Sequence, residues 1–436
     1  MKTNLCFCLR PVISFATLVG IGAMLTGCGG NSTATSPVTT PTPTPSSSCT
    51  TPSVTITHTA SAANAPQLVF LDKSTYPQAL CNDGTPAAYV LRPGAGAAAN
   101  HWIISLQGGG ECYDQASCAN RAADTPTLVS SAPYRATPSL ALGLGGLLDS
   151  NPSNNPDFYD ASTVEVLYCS SDEWSGAKAS TSAFHPEDPT TWNFQGHAIV
   201  NAVVADLKAS HNLSAATDIM LTGQSSGGVG VFLNVNPIAK LVPSGARFAA
   251  FSDAAFDNAV DTFNPAGAPP NYTNTNSIPA EITQFSQVLL LWNGSGDPVC
   301  SAATPPDPSS QVACYNSQSL LAPNGTITLP MLVSISQKDT YALGASGISG
   351  ADIQSGNFTT AESGYIAYFA TNMRANLNST NPNVSIFSPN SFVHIEATDF
   401  TLYSSPVSFP NGTITLQQEI GSWYKAPCSV QRNIAN

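Results

Sequence analysis

Charge is what this chain has least of. Asp, Glu, Lys and Arg make up 9% of its 436 residues, with 14 basic against 27 acidic side chains and a formal net charge of −13. A surface so poor in cations offers nothing to a phosphate backbone or an anionic membrane face, so nucleic acid is excluded as a partner. A bare polyanionic polysaccharide is disfavoured on the same ground, and neutral or esterified glycans suit the surface better. There is no Cys-x-x-Cys or His-x-x-x-His spacing, which removes zinc as the reason for the cysteines. No internal repeat and no long apolar run is present. The one apolar stretch near the N-terminus, Pro11 to Met24, is too short and too early for a stable membrane span.

That stretch has another reading. A basic segment from Met1 to Arg10, the apolar run and the box Leu25-Thr26-Gly27-Cys28 match a bacterial lipoprotein signal. The expectation is cleavage of residues 1–27, a lipid on Cys28 and a protein anchored in the cell envelope on its extracytoplasmic side, touching membrane only through that lipid. Residues 28–48 follow with Cys28 and then mostly Ser, Thr, Pro and Gly without apolar periodicity, a solvated tether. Residues 49–436 are then one large domain. Of eleven cysteines, Cys6 and Cys8 leave with the signal and Cys28 takes the lipid. An even set of eight remains, Cys49, Cys81, Cys112, Cys118, Cys169, Cys300, Cys314 and Cys428, which reads as four disulfides in an oxidising space. Cys300 with Cys314 and Cys112 with Cys169 are the pairings expected.

Within the domain, apolar strands are expected near 101, 163, 216, 246, 287 and 330, alternating with helical stretches. One of these, Asn193 to Ser210, carries Ile199, Val200, Val203, Val204 and Leu207 on one face. The alternation argues for an α/β fold with a mostly parallel central sheet covered by helices on both faces. Two segments rich in Ala, Pro, Asn and Gly, Ser117 to Ser153 and Asp261 to Ile278, read as insertions able to wall a pocket.

The strand ending at Thr222 runs into Gly223-Gln224-Ser225-Ser226-Gly227, a Gly-x-Ser-x-Gly turn followed by an apolar helix. Glycines on both sides tolerate the strained strand-to-helix turn that lifts a serine hydroxyl off the sheet, so Ser225 is the candidate nucleophile. In α/β-hydrolases the acid and the histidine follow the serine in the chain. Of the six histidines only His394 does, which makes it the candidate base. Two acids end plausible strands between them, Asp253 and Asp339. Asp339 fits better because it follows a later strand, while Asp253 suits a pocket floor or a cap. Gly108-Gly109-Gly110, directly after the strand Trp102 to Gln107, offers unhindered N–H groups for an oxyanion hole, with the Ser226 N–H as a further donor.

Four blocks now stand in order: Leu106-Gln-Gly-Gly-Gly-Glu-Cys112-Tyr-Asp, Tyr168-Cys169-Ser-Ser-Asp172-Glu-Trp174-Ser-Gly176, Gly223 to Asn234, and Leu291-Trp292-Asn293-Gly294 before Cys300. Together they resemble the pectin acetylesterase and Notum family over roughly residues 90 to 400. The resemblance implies an α/β-hydrolase-like fold, a serine esterase without cofactor or metal, Ser225 as nucleophile, Asp339 as acid, His394 as base, and backbone donors at Gly109, Gly110 and Ser226. Glu111 stands where plant members carry tryptophan, and the block around Asp172 is similar to Notum. The activity implied is removal of an acyl group from an ester, most of all O-acetyl from a glycan, by a monomer. A longer-chain deacylase is the alternative, and an inactive glycan-binding surface module a third reading. Tyr113, Trp174, Trp292 and Tyr341 are candidates for stacking on sugar rings.

Overall fold

Among the described residues of a computed structural model, nine strands form the central sheet, in the order β1-β2-β4-β3-β5-β6-β9-β10-β13. They are β1 Gln67–Phe70, β2 Ala88–Arg92, β3 His101–Leu106, β4 Ser162–Val166, β5 Asp218–Gln224, β6 Arg247–Asp253, β9 Met331–Ser334, β10 Val384–Ser388 and β13 Arg432–Ile434. From β4 across to β13 every pairing is parallel, and at the other edge β2 pairs antiparallel with both β1 and β4, so of these nine strands β2 alone is reversed. Two hairpins lie outside it, β7 Thr262–Ala268 with β8 Asn271–Asn274, and β11 Val407–Phe409 with β12 Gly412–Ile414. The structure describes residues 51–58, 64–142, 144–274, 290–399 and 401–436. Cys28, the signal segment and the tether lie outside them.

Parallel strands are covered on both faces, and alternate side chains show it. On β3, Trp102, Ile104 and Leu106 join one apolar cluster, while Ile103 joins another. The principal helices are α1 Gln115–Asp124, α2 Gly196–Ser210, α3 Ser226–Leu241, α4 Thr340–Ala345, α5 Thr360–Asn378 and α6 Leu416–Lys425. Ile199, Val203 and Leu207 of α2, Val231 and Val235 of α3 and Phe369 of α5 fill the first cluster. Ile420 and Trp423 of α6 fill the second with Met220, Phe251 and Leu332. The stripe on α2 is buried as its spacing predicts.

Two expectations change, and a third lies outside the described residues. The strand near 287 falls on residues outside the described ones, and Leu290 to Trp292 just after it are helical. The segment Ser117 to Ser153 holds most of α1 and further short helices, and Asp261 to Asn274 holds the β7–β8 hairpin, whose Tyr272 packs against Gly364 of α5. Cysteine pairing differs too. Cys300 pairs with Cys314 as expected, but Cys112 pairs with Cys118, not Cys169, and Cys169 pairs with Cys81. Two strongly local facts produce this. Asp114 accepts from Ser117 N at 2.7 Å and starts α1 there, which folds Cys118 back onto Cys112. The segment after β2's hairpin partner brings Cys81 beside the end of β4, where Asn82 N donates to Cys169 O at 2.9 Å. Cys428 is disulfide-bonded as well.

The bridges differ in what they restrain. Cys81–Cys169 spans 88 residues and Cys112–Cys118 spans 6. Restriction of the unfolded chain gives about 4–5 kcal/mol for the first and about 2 kcal/mol for the second. Urea unfolding of the Cys81→Ala/Cys169→Ala and Cys112→Ala/Cys118→Ala double variants is expected to show that order. Equal losses would mean that native packing, not loop closure, sets their value.

Candidate active site

The candidate catalytic and oxyanion residues sit at the carboxyl ends of parallel strands, the edge at which such sheets place their sites. β5 delivers Ser225, the loop after β9 delivers Asp339, and the loop after β10 delivers His394. Ser225 has φ 55° and ψ −128°, the strained turn that glycine neighbours make feasible. Gly227 is required by close approach, since a Cβ there would stand 1.9 Å from Leu106 O of β3. This contact brings the start of α3 against the end of β3, so the turn and the glycine loop lie side by side.

The structure brings Ser225, His394 and Asp339 into one hydrogen-bonded chain. Ser225 Oγ lies 2.8 Å from His394 Nε2, and His394 Nδ1 lies 2.8 Å from Asp339 Oδ2. A buried carboxylate accepts only, so Nδ1 carries the proton donated to Asp339, and Nε2 is left to accept from the serine hydroxyl. Asp339 is 1% exposed. Its other oxygen accepts from Ala342 N at 2.9 Å and caps α4, which fixes the carboxylate plane. Burial by itself would lower the His394 pKa, but the charge and hydrogen bond of Asp339, with the charge of Asp253, outweigh it and hold the imidazole above its ordinary value. Tyr341 stacks on the imidazole, ring centres 5.2 Å apart, and donates its hydroxyl to Glu111 at 3.2 Å.

Asp253 has a different place. Its side chain accepts from Glu396 N at 3.0 Å and Ala397 N at 2.9 Å, and its backbone carbonyl accepts from Ser225 N at 2.9 Å. It therefore pins the loop that carries His394 to the turn that carries Ser225. Burial pushes its carboxyl up to about 6, against the opposing effect of those two N–H donors. Asp172 likewise serves the scaffold: it accepts from Gly196 N at 2.7 Å and Trp174 N at 3.1 Å, and burial raises it to about 6.

The loop after β3 takes left-handed backbone at Gly110, φ 67°, and an open angle at Gly109, φ 148°. Among the described residues, the N–H groups of Gly109, Gly110 and Ser226 donate to no protein acceptor. Ser225, Ser226, Asp339, His394, Glu111 and Glu173 line one pocket with Val229, Ala254, Phe256, Trp292 and Ile335, and its volume is about 110 Å³. No described residue of the two expected wall segments lines it. A larger groove of about 580 Å³ opens beside the His394 loop, between Pro389 and Pro410, and holds no member of the hydrogen-bonded chain. Trp174 and Trp292 are fully buried, so they pack and do not stack on sugars. Tyr113 and Tyr341 are about 40% exposed. No group of His, Cys, Asp and Glu able to hold a metal ion occurs among the described residues.

An α/β-hydrolase fold with a Ser, His and Asp chain at the sheet's carboxyl edge defines the class. A profile of the pectinacetylesterase family matches residues 59–435, and the chain belongs to that family of carboxylic ester hydrolases. The palmitoleoyl-protein carboxylesterase notum1a of Danio rerio is 39% identical over 162 residues, 37% of this chain and 30% of that protein. The palmitoleoyl-protein carboxylesterase NOTUM of Schmidtea mediterranea is 30% identical over 213 residues, 49% of this chain and 38% of that protein. The matches thus span about a third of the length of these relatives. A crystal structure of the Wnt deacylase Notum from Drosophila superposes with TM-score 0.69 at 23% identity, covering 86% of this chain and 97% of the other, a likeness of fold.

Proposed function

We propose that the protein is an extracytoplasmic serine esterase that removes short acyl groups, acetyl foremost, from a polysaccharide. The observation that carries it is the Ser225, His394 and Asp339 chain opening on a pocket of about 110 Å³. That pocket is small beside the roughly 300–1,000 Å³ of ordinary small-molecule sites. A small pocket favours a short acyl group such as acetyl over a fatty acyl chain.

In the mechanism, Ser225 Oγ attacks the ester carbonyl while His394 Nε2 takes its proton. Asp339 holds the imidazole in the required tautomer and stabilises the imidazolium. The N–H groups of Gly109, Gly110 and Ser226 receive the tetrahedral oxyanion. Collapse expels the alcohol with the proton returned by His394, leaving an acyl-enzyme. Water then repeats the attack and releases the acid. The step sequence needs no metal or organic cofactor.

The setting is part of the proposal: a lipid on Cys28, a tether to residue 48 and an anchored, monomeric enzyme outside the cytoplasm. Disulfides at Cys81–Cys169, Cys112–Cys118 and Cys300–Cys314 suit an oxidising compartment. The similarity to palmitoleoyl-protein carboxylesterases favours a second reading, a long-chain deacylase. Hydrolysis of p-nitrophenyl acetate, butyrate, octanoate and palmitate separates the two. A small pocket predicts kcat/KM highest on acetate and at least about tenfold lower at octanoate, whose longer chain it accommodates less well. A rising series toward palmitate would move the reading to the second.

A further inference from the structure

The loop after β3 has its carbonyl groups taken by side chains. Trp174 Nε1 donates to Gln107 O at 3.1 Å, Arg121 Nη1 to Gly109 O at 2.6 Å, Arg121 Nη2 to Gly110 O at 3.3 Å, and Trp292 Nε1 to Cys112 O at 2.9 Å. In a planar trans peptide the carbonyl of one residue and the N–H of the next point in opposite directions. A donor on Gly109 O therefore fixes where the Gly110 N–H points. Gly109 packs against Leu128 and Tyr168, but the Gly110 side of the peptide is open: a Cβ on Gly110 would find only Arg121 within 4 Å, at 3.9 Å, and glycine has little intrinsic preference for one orientation.

We infer that Arg121 is the positioning residue of the oxyanion hole, aiming the Gly110 N–H by gripping the carbonyls of Gly109 and Gly110 from behind. It is outside the pocket lining and touches neither Ser225 nor His394. Its own placement is firm. Nε donates to Ser171 Oγ at 2.7 Å, the guanidinium stands 5.4 Å from the centre of the Tyr168 ring, and α1, which bears it, is closed onto the glycine loop by Cys112–Cys118. A charged donor on the carbonyl also polarises the peptide, so the opposite N–H becomes a better donor. Lysine has one point of charge and cannot reproduce the fork.

This inference rests on the esterase reading, and the test separates the two. Steady-state hydrolysis of p-nitrophenyl acetate is measured for the full chain, Arg121→Met and Arg121→Lys across pH, beside thermal melts. Because the donor acts mainly in the transition state, Arg121→Met is expected to lower kcat by about 30- to 100-fold with KM changed less than about 2-fold. The acid limb of kcat/KM, set by His394, stays in place, and Arg121→Lys lies between Arg121→Met and wild type. A folded Arg121→Met with kcat within about 3-fold of wild type overturns the inference, as does a matching rise in KM or a shifted acid limb. If Arg121→Met does not fold, a folded Arg121→Lys with wild-type kcat overturns it, and one with reduced kcat at unchanged KM supports it. Absence of serine-dependent hydrolysis in the wild type sinks the esterase reading and this inference with it.

Discussion

Ser225→Ala is expected to lower kcat for p-nitrophenyl acetate by about 10⁴- to 10⁶-fold while the protein stays folded. Among the described residues the Oγ makes its hydrogen bond to His394 and no other side chain, so its loss deprives the fold of little. Alanine tolerates φ 55° about as poorly as serine, so the strain in the turn is unchanged. Some rate above water is expected to survive, since backbone N–H donors still bind the oxyanion. Stopped-assay kinetics with a melting curve of each protein check this. A folded variant retaining a tenth of the activity would place the nucleophile elsewhere.

Asp339→Asn is expected to cost about 10⁴-fold in kcat. One carboxylate oxygen caps α4 through Ala342 N and the other faces His394 Nδ1. In asparagine the amide oxygen keeps the cap, and the NH₂ then faces the imidazole. A donor at Nδ1 forces the proton onto Nε2, where it cannot accept from Ser225. The pH profile carries an independent sign. His394 acts as a base only when neutral, so activity rises with pH through its pKa, which Asp339 helps to hold above the ordinary imidazole value. Without that charge, burial prevails and the acid limb of kcat/KM moves to lower pH. A 10⁴-fold loss with an unmoved limb would mean that Asp339 does not set the charge state of His394.

Much of this site was legible because it is written locally. The elbow is five consecutive residues whose glycines answer to the φ of Ser225 and to the contact of Gly227 with β3. His394 followed from chain order alone. Asp339 over Asp253 rested on strand order, and the structure gives Asp253 its separate task, holding Glu396 N and Ala397 N. What was not legible depends on contacts between distant segments. Cys112 and Cys118 are close because Asp114 starts a helix between them, a capping signal that could have been read from Asp114-x-x-Ser117. Cys81 meets Cys169 only when β2 pairs with β4. Trp174 and Trp292 sit in blocks that look like a binding surface, yet their indole N–H groups hold backbone carbonyls from inside. Arg121 gave no signal, since its acceptors are main-chain atoms that any residue would supply.

The most direct test is mass mapping of the protein after reaction with a p-nitrophenyl alkylphosphonate. Serine attack on phosphorus expels p-nitrophenolate and leaves a stable adduct that imitates the tetrahedral intermediate. The result expected is one adduct, on the peptide that carries Ser225, formed in step with loss of esterase activity and absent from Ser225→Ala. Activity lost without that adduct, or hydrolysis persisting in fully labelled protein, would contradict the assignment of Ser225, His394 and Asp339 as the catalytic group.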